Sequence, residues 1–395
     1  MYDILNSELI NIRRDFHKNP ELGGSEHRTM NKICEYLDLW GIEYENCVAD
    51  TGVVAIVRGK NKKKTYETSP CIAVRADMDA LPIKEETNVE FKSANDGVMH
   101  ACGHDAHTTI ALGTAKIIKS MESQLSGDVK FFFQPAEETT GGAERMINEG
   151  CLKNPDVDYV LGLHVDPTIK TGFVRLKYGK MMASSDEIII KAIGKSTHGA
   201  HPNDGVDPLI IASNLVLSLQ SLVSRNLSPL NSAVLTIGSI HGGTKGNIIP
   251  DEVEMTGILR TLDQDTRDFM KKRIAEIVEN VPKAFGGEGR LYFRESYKAL
   301  INNDETVNVV RETAEKILGK ENVVISQFPS MGTEDFSYFC EHSKACFFNL
   351  GCRNEEIDAV YPIHSSMFKL DESCLEIGVK LQVENVLKLL RVGRD

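Results

Sequence analysis

At 395 residues the chain is too long for one ordinary core at roughly 150 residues per domain, so two or three compact units are expected. Hydrophobic residues at 41% and charged residues at 26% exclude a disordered or collagen-like chain. Lys and Arg number 45 against 57 Asp and Glu, and the net charge of −12 has the wrong sign for nucleic acid or an anionic membrane surface, which leaves a small molecule or another protein as partner.

The nine cysteines contain no C-x-x-C pair, so neither a zinc knuckle nor a thioredoxin-type motif is supported. The first residues carry mixed charge, without the basic stretch and apolar run of a signal peptide, and a cytoplasmic protein with reduced thiols is the expectation. The longest uncharged stretch, Pro208–Ser224, is interrupted by Ser213, Asn214, Ser218, Gln220 and Ser221 and is read as too short for a membrane span.

Met30, Ile33, Leu37 and Trp40 recur at helical spacing before Gly41 and predict a helix with a glycine stop. Short apolar runs at 52–57, 71–76, 129–133 and 159–163 predict buried strands, with helices at 108–121 and 143–148 among them. This alternation predicts an α/β sandwich with a parallel or mixed sheet. From about residue 184 the order changes. Strands at 187–193, 233–240, 252–260 and 290–297 and helices at 208–223 and 266–284 give β-α-β-β-α-β, the ferredoxin-like pattern. A helix ending at Gly319, a buried strand at 345–350, a loop holding His364 and a helix from Asp371 return to the first texture. The expectation is a discontinuous domain, 1–183 and 298–395, with residues 184–297 inserted. The basic patch Lys60–Lys64 is expected to be an exposed loop.

Three polar clusters stand just beyond the carboxyl ends of predicted strands: Arg75-Ala-Asp77-Met-Asp79, Gln134-Pro-Ala-Glu137-Glu138, and His164. That edge is where open α/β sheets bind ligands. Between the first two, the run from His100 to His107 holds three histidines, Cys102 and Asp105, the donor set of a transition metal. Gly103 lets the chain turn so that Cys102 and His104 converge.

H-A-C-G-H-D at 100–105, Q-P-A-E-E at 134–138, R-A-D-M-D-A-L-P at 75–82, H-x-x-P-E-L at 17–22 and N-I-I-P-D-E-V-E-M at 247–255 together resemble the amidohydrolase branch of the M20 metallopeptidase family, over nearly the whole chain. The resemblance implies a catalytic α/β domain holding two divalent metal ions per subunit, with an inserted lid that makes a homodimer or higher homo-oligomer. It implies that Cys102, His104, Glu138, His164 and His364 are the ligands, Cys102 bridging, and that Glu137 is the general base. Zinc, manganese, nickel and cobalt are all candidates for the metal, since thiolate and imidazole suit zinc and the others can use such a site. Where the wider family ends its strand with His-x-Asp, this chain has Arg75-Ala76-Asp77, which speaks against aminopeptidase and tripeptidase activity. Asp77, Asp79 and Asp105 are then either carboxylates that orient the ligand histidines or plain turn residues.

In the lid, the resemblance implies that His198 stabilises the oxyanion, in its own or the neighbouring subunit, and that Asn247 and Arg260 contact the substrate's free carboxylate. The loop Met331–Phe336 is similar to a glycine loop near the metals. The expected activity is hydrolysis of the amide of an N-acyl-amino acid. Alternatives are an N-acetyl-diaminopimelate deacetylase, a dipeptidase, or an inactive relative that senses metal or ligand. Cys34, Cys71, Cys346 and Cys374 are expected to be small core residues.

Overall fold

The computed structural model describes residues 2–62 and 69–392. They fall into two compact units. One is built from the chain up to Gly179, Asn302–Gln327 and the chain from Tyr338, the other from Lys180–Ile301 and Phe328–Ser337. The segment 328–337, placed by the sequence reading in the C-terminal part of the first domain, packs with the second unit.

The first unit opens with helices α1 (Tyr2–Lys18) and α2 (His27–Leu39) and strands β1 (Glu43–Val48) and β2 (Gly52–Val57). Strand β3 (Cys71–Asp77), helix α3 (His104–Ser120), and strands β4 (Asp128–Gln134), β5 (Tyr159–Lys170) and β6 (Val174–Leu176) follow. The sheet runs β1-β2-β4-β3-β5, then the strand Lys344–Arg353, then β6 and Val323–Ile325. Its centre, β4, β3, β5 and Lys344–Arg353, is parallel. All seven residues of β3 and of β4 are buried, as a sheet covered on both faces requires. Helices α1, α3 and Ser373–Val392 pack on one another, and the last two also lie on β3. Phe131, Phe133, Leu161, Ile110, Leu375 and Val379 join one core; each such side chain contributes roughly 1.5–3 kcal/mol by leaving water.

Helix α3 begins four residues earlier than its apolar stripe predicts, so His104 occupies its first turn. Cys34, Cys71, Cys346 and Cys374 are buried. Of the basic patch, Lys60 and Lys62 are exposed, while Lys63 and Lys64 lie outside the described residues.

The second unit has the β-α-β-β-α-β order, with an antiparallel sheet in which Ala233–Gly242, Glu252–Thr261, Asp186–Ile193 and Glu288–Glu295 lie side by side. Val253, Met255 and Leu259 point into its core, joined there by Met270, Ile274 and Val278 from the helix Gln264–Ala284. Contrary to the sequence reading, Pro208–Asn226 does reach the length and hydropathy of a membrane-crossing helix. Its Ile211, Ala212, Leu215, Leu219 and Leu222 are fully buried in this unit's core, which accounts for one face of the helix, while Leu209, Ile210 and Leu217 on the rest of it are exposed.

Candidate metal centre

The parallel strands deliver their chemistry to one edge. β3 pairs with β4 up to Asp77 and Gln134, and with β5 up to Arg75 and Gly162. Asp79 and the Glu137–Glu138 pair therefore emerge beyond the last paired residues of β3 and β4, and His164 lies two residues past the end of the β3–β5 pairing, opposite Asn349 of the strand Lys344–Arg353. Cys102 and His104 arrive from the connection into α3. Gly103 between them takes φ +89°, and a Cβ there would lie 2.4 Å from Val165 Cγ2, so this turn needs glycine. His364 comes from the C-terminal loop, also with positive φ, and donates its backbone N–H to Ala101 O at 2.8 Å.

These side chains meet. Cys102 Sγ is 3.2 Å from His164 Nε2. Glu138 Oε1 is 3.1 Å from His364 Nε2 and 3.9 Å from His104 Nε2. Two sets of donors, Cys102–His104–His164 and Cys102–Glu138–His364, each have their atoms within 4.8 Å of one another, and Cys102 belongs to both. Glu137, buried beside them, forms a further set with His104 and Glu138.

The imidazoles are oriented as ligands. His164 Nδ1 lies 2.7 Å from Val165 O and His104 Nδ1 lies 3.2 Å from Asp79 Oδ1, so in each ring Nδ1 bears a proton and Nε2 is the nitrogen that faces the other donors. His104 Nε2 is buried and makes no well-formed hydrogen bond among the described residues. Such an orphaned polar atom costs about 1–3 kcal/mol, which a cation seated among the lone pairs would remove. Burial pushes the Cys102 thiol well above its usual range, against the pull of His104, and a thiolate there needs the positive charge of an ion. Burial and the neighbouring His107 hold His164 down to about 3, which keeps it a neutral ligand. At His104, burial is outweighed by Asp77, Cys102 and Asp79, which raise its pKa. The residues present fit a pair of divalent ions.

A polar scaffold surrounds the donors. Arg75 Nη1 lies 2.6 Å from Asp77 Oδ2, and Arg75 Nε donates to Gln134 Oε1 at 2.8 Å. His107 also clusters with Asp77 and His104. Both its ring nitrogens are occupied, Nδ1 at 2.6 Å from Asp77 Oδ1 and Nε2 accepting the Val165 N–H at 2.8 Å, which makes it a brace and not a further donor. Asp79 binds His104 through one oxygen and accepts the Glu138 N–H through the other. Asp105 pairs with Arg13 and His17 of α1. All three aspartates thus hold partners, and none serves as a simple turn residue.

In the second unit, His198 Nδ1 accepts the Ala200 N–H at 3.0 Å, which leaves Nε2 as the nitrogen that bears the ring's N–H. Gly199 N–H donates to Asn247 O at 2.8 Å and Ile248 pairs with His198, which brings Asn247 and His198 onto one small ribbon. Arg260 stands apart, opposite Val234, with Nη1 buried and unbonded among the described residues. Burial lowers its pKa, and Asp186 works in the opposite direction.

Sequence reasoning passed over Glu26 and assigned no role to His107. Nothing in G-G-S-E-H separates a buried glutamate from a surface helix cap, whereas His107, on the helical face three residues from His104, carried a usable signal.

An α/β unit in which one cysteine sulfur is shared by two donor sets beside a pair of glutamates has the make-up of a metal-dependent hydrolase. Residues 73–388 match the model of peptidase family M20/M25/M40, and the chain belongs to that family, in its amidohydrolase branch. It is 38% identical over 387 residues to the hippurate hydrolase of Campylobacter jejuni, covering 98% of each chain. It is 38% identical over 386 residues to the N-acetyl-L-cysteine deacetylase of Bacillus subtilis, covering 98% of this chain and 89% of the relative. A solved dinuclear metal-binding peptidase of the M20 family from Bacillus subtilis superposes with a TM-score of 0.85 at 32% identity, covering 98% of this chain and 99% of that one.

Proposed function

We propose that this amidohydrolase cleaves the amide of N-acyl-amino acids, releasing a carboxylic acid and the free amino acid, with Glu137 as the proton carrier. The observation that carries the reading is the placement of Glu137 beside two donor sets that share Cys102. Both relatives support it, since their names describe removal of an acyl group from an amino acid. Cys102, His104, His164, Glu138 and His364 would hold two divalent ions, which when bound polarise the scissile carbonyl and lower the pKa of water.

Glu137 takes a proton from the attacking water and delivers it to the leaving amine nitrogen. His198 offers its Nε2–H to the developing oxyanion, a donor worth about 3–4 kcal/mol in the transition state. Arg260, with its unbonded Nη1, and Asn247 take the substrate's free carboxylate. The test is a panel of N-acetyl-, N-benzoyl- and dipeptide substrates with Glu137→Gln alongside. Hydrolysis of the acyl-amino acids, abolished in Glu137→Gln with metal retained, is expected; ordinary turnover by that variant would overturn the mechanism, and hydrolysis of dipeptides alone would reassign the substrate.

The second unit is proposed to pair two copies of the chain. Leu217, 72% exposed, and Ile210 protrude from the helix Pro208–Ser221, and Val234 and Ile240 are exposed on Ala233–Gly242, a strand with one unpaired edge. A free strand edge beside apolar side chains is a surface that natural proteins cover. A fully active monomer in light scattering would refute the pairing.

A further inference from the structure

The N-terminal motif that begins at His17 runs on through Gly23, Gly24 and Ser25 to Glu26, and the proposed reaction makes no use of it. Glu26 is fully buried and stands at the start of α2, yet its side chain does not cap that helix. Oε1 accepts the Ala136 N–H at 2.8 Å and Oε2 accepts the Thr51 hydroxyl at 2.7 Å. No cation pairs with it among the described residues. A buried carboxylate without a cation is costly to keep, so its hydrogen bonds must accomplish something.

Ala136 is where they act. It has φ +58°, a conformation that a residue with a Cβ rarely adopts, and it immediately precedes Glu137. The N-terminal segment runs close to the same point, since a Cβ added at Gly23 would lie 2.5 Å from Thr139 Oγ1, 3.0 Å from Ala136 Cα and 3.1 Å from Asp79 Oδ2, room that only glycine leaves. On the far side of Glu137, the Glu138 N–H is held by Asp79 at 3.0 Å. The backbone N–H groups on either side of Glu137 are therefore each gripped by a carboxylate from a different segment.

We propose that Glu26 is a positioning residue for the Glu137 carboxylate, acting through the backbone of Ala136. This rests on Glu137 being the base. Glu26→Ala removes the acceptor, whereas Glu26→Gln keeps an oxygen for the Ala136 N–H and can donate its amide to Thr51. Each variant is to be loaded with metal and compared for kcat, KM, metal content and amide hydrogen exchange of the 134–139 segment. In Glu26→Ala, kcat should fall about tenfold or more while KM and metal content hold, and the segment should exchange faster. Glu26→Gln should restore both kcat and protection. If Glu26→Ala does not fold, Glu26→Asp, one methylene too short for Ala136, takes its place with the same expectation. The proposal is overturned by an unchanged kcat, by unchanged exchange, by a loss of activity that follows loss of metal, or by a glutamine variant no better than the alanine one. Glu137→Gln run in parallel separates the two claims: if it stays active the base assignment fails, and if it is dead while Glu26→Ala has wild-type kcat only the positioning role fails.

Discussion

His107 holds Asp77 at 2.6 Å through Nδ1 while its Nε2 receives the backbone N–H of Val165, so a single neutral imidazole ties β3 to the residue beside the ligand His164. Replacing it by leucine leaves a buried carboxylate oxygen and a buried N–H without partners. The expected cost is about 2–5 kcal/mol in denaturant unfolding, with metal affinity down roughly 10–100-fold and two sites still present at saturating metal. Loss of one whole equivalent at saturation would show that His107 is a ligand after all.

Because Cys102 belongs to both donor sets while His164 and His364 belong to one each, the variants should differ in stoichiometry. Cys102→Ser is expected to lower the content of both ions, and His364→Ala chiefly one. Chelation of the wild-type protein should lower its melting temperature, and the same treatment should scarcely move Cys102→Ser. Elemental analysis and thermal melts decide this.

Arg260 contributes a guanidinium with a buried, unbonded nitrogen, so its removal should be felt by charge. Arg260→Ala should raise KM by about 10–100-fold for substrates with a free carboxylate and leave their carboxamide analogues nearly unchanged. Equal losses on both would place the arginine in folding.

The α1 network carries a pH signature. At His17, burial and Arg13 work to lower the pKa, but the contacts with Asp105 and Glu85 outweigh them and raise it above 6.5. At Glu85, burial works upward and is overcome by His17 and Thr87, so its pKa is lowered below 4.5. A raised histidine stabilises the fold fully below its unfolded pKa and ceases to do so as pH climbs through the folded value. A lowered glutamate stabilises above its unfolded pKa and loses that contribution as pH falls through the folded one. Stability from this pair should thus be greatest between about pH 4.5 and 6.5 and decline on the alkaline side, and the decline should be absent from His17→Gln in chemical denaturation followed from that window to higher pH.

Gln382 and Asn385 lie fully buried on the C-terminal helix, and none of their four amide atoms has a partner among the described residues. Replacing either by leucine should raise stability by about 1–2 kcal/mol, seen as a higher denaturation midpoint. A loss of similar size would reveal an ordered water satisfying them.

The legible parts of this sequence are those where burial coincides with apolarity. G-V-V-A-I-V at 52–57 announces itself, while β1, E-Y-E-N-C-V, is an exposed edge strand without a pattern to read. Helix α1 escapes notice because Arg13 and His17 interrupt its stripe of Leu9, Ile12 and Phe16, although both are as buried as the apolar residues. The polar run at the start of α3 reads as loop for the same reason, since Asp105 and His107 are satisfied by partners 88 and 30 residues away. Motif resemblance named the donors, and the structure brings all five together. The grip of Glu26 on Ala136 depends on a backbone conformation that composition cannot encode.

The strand Lys344–Arg353 lies between β5 and β6, so the middle of the catalytic sheet is closed by one of the last segments to be made. At about 5–20 residues per second, β5 leaves the ribosome roughly ten to forty seconds before its neighbour exists. Throughout that interval an apolar edge, Val160, Leu161 and Leu163, waits unpaired. Premature termination before residue 344 should therefore yield insoluble product, since that edge then never finds its neighbour.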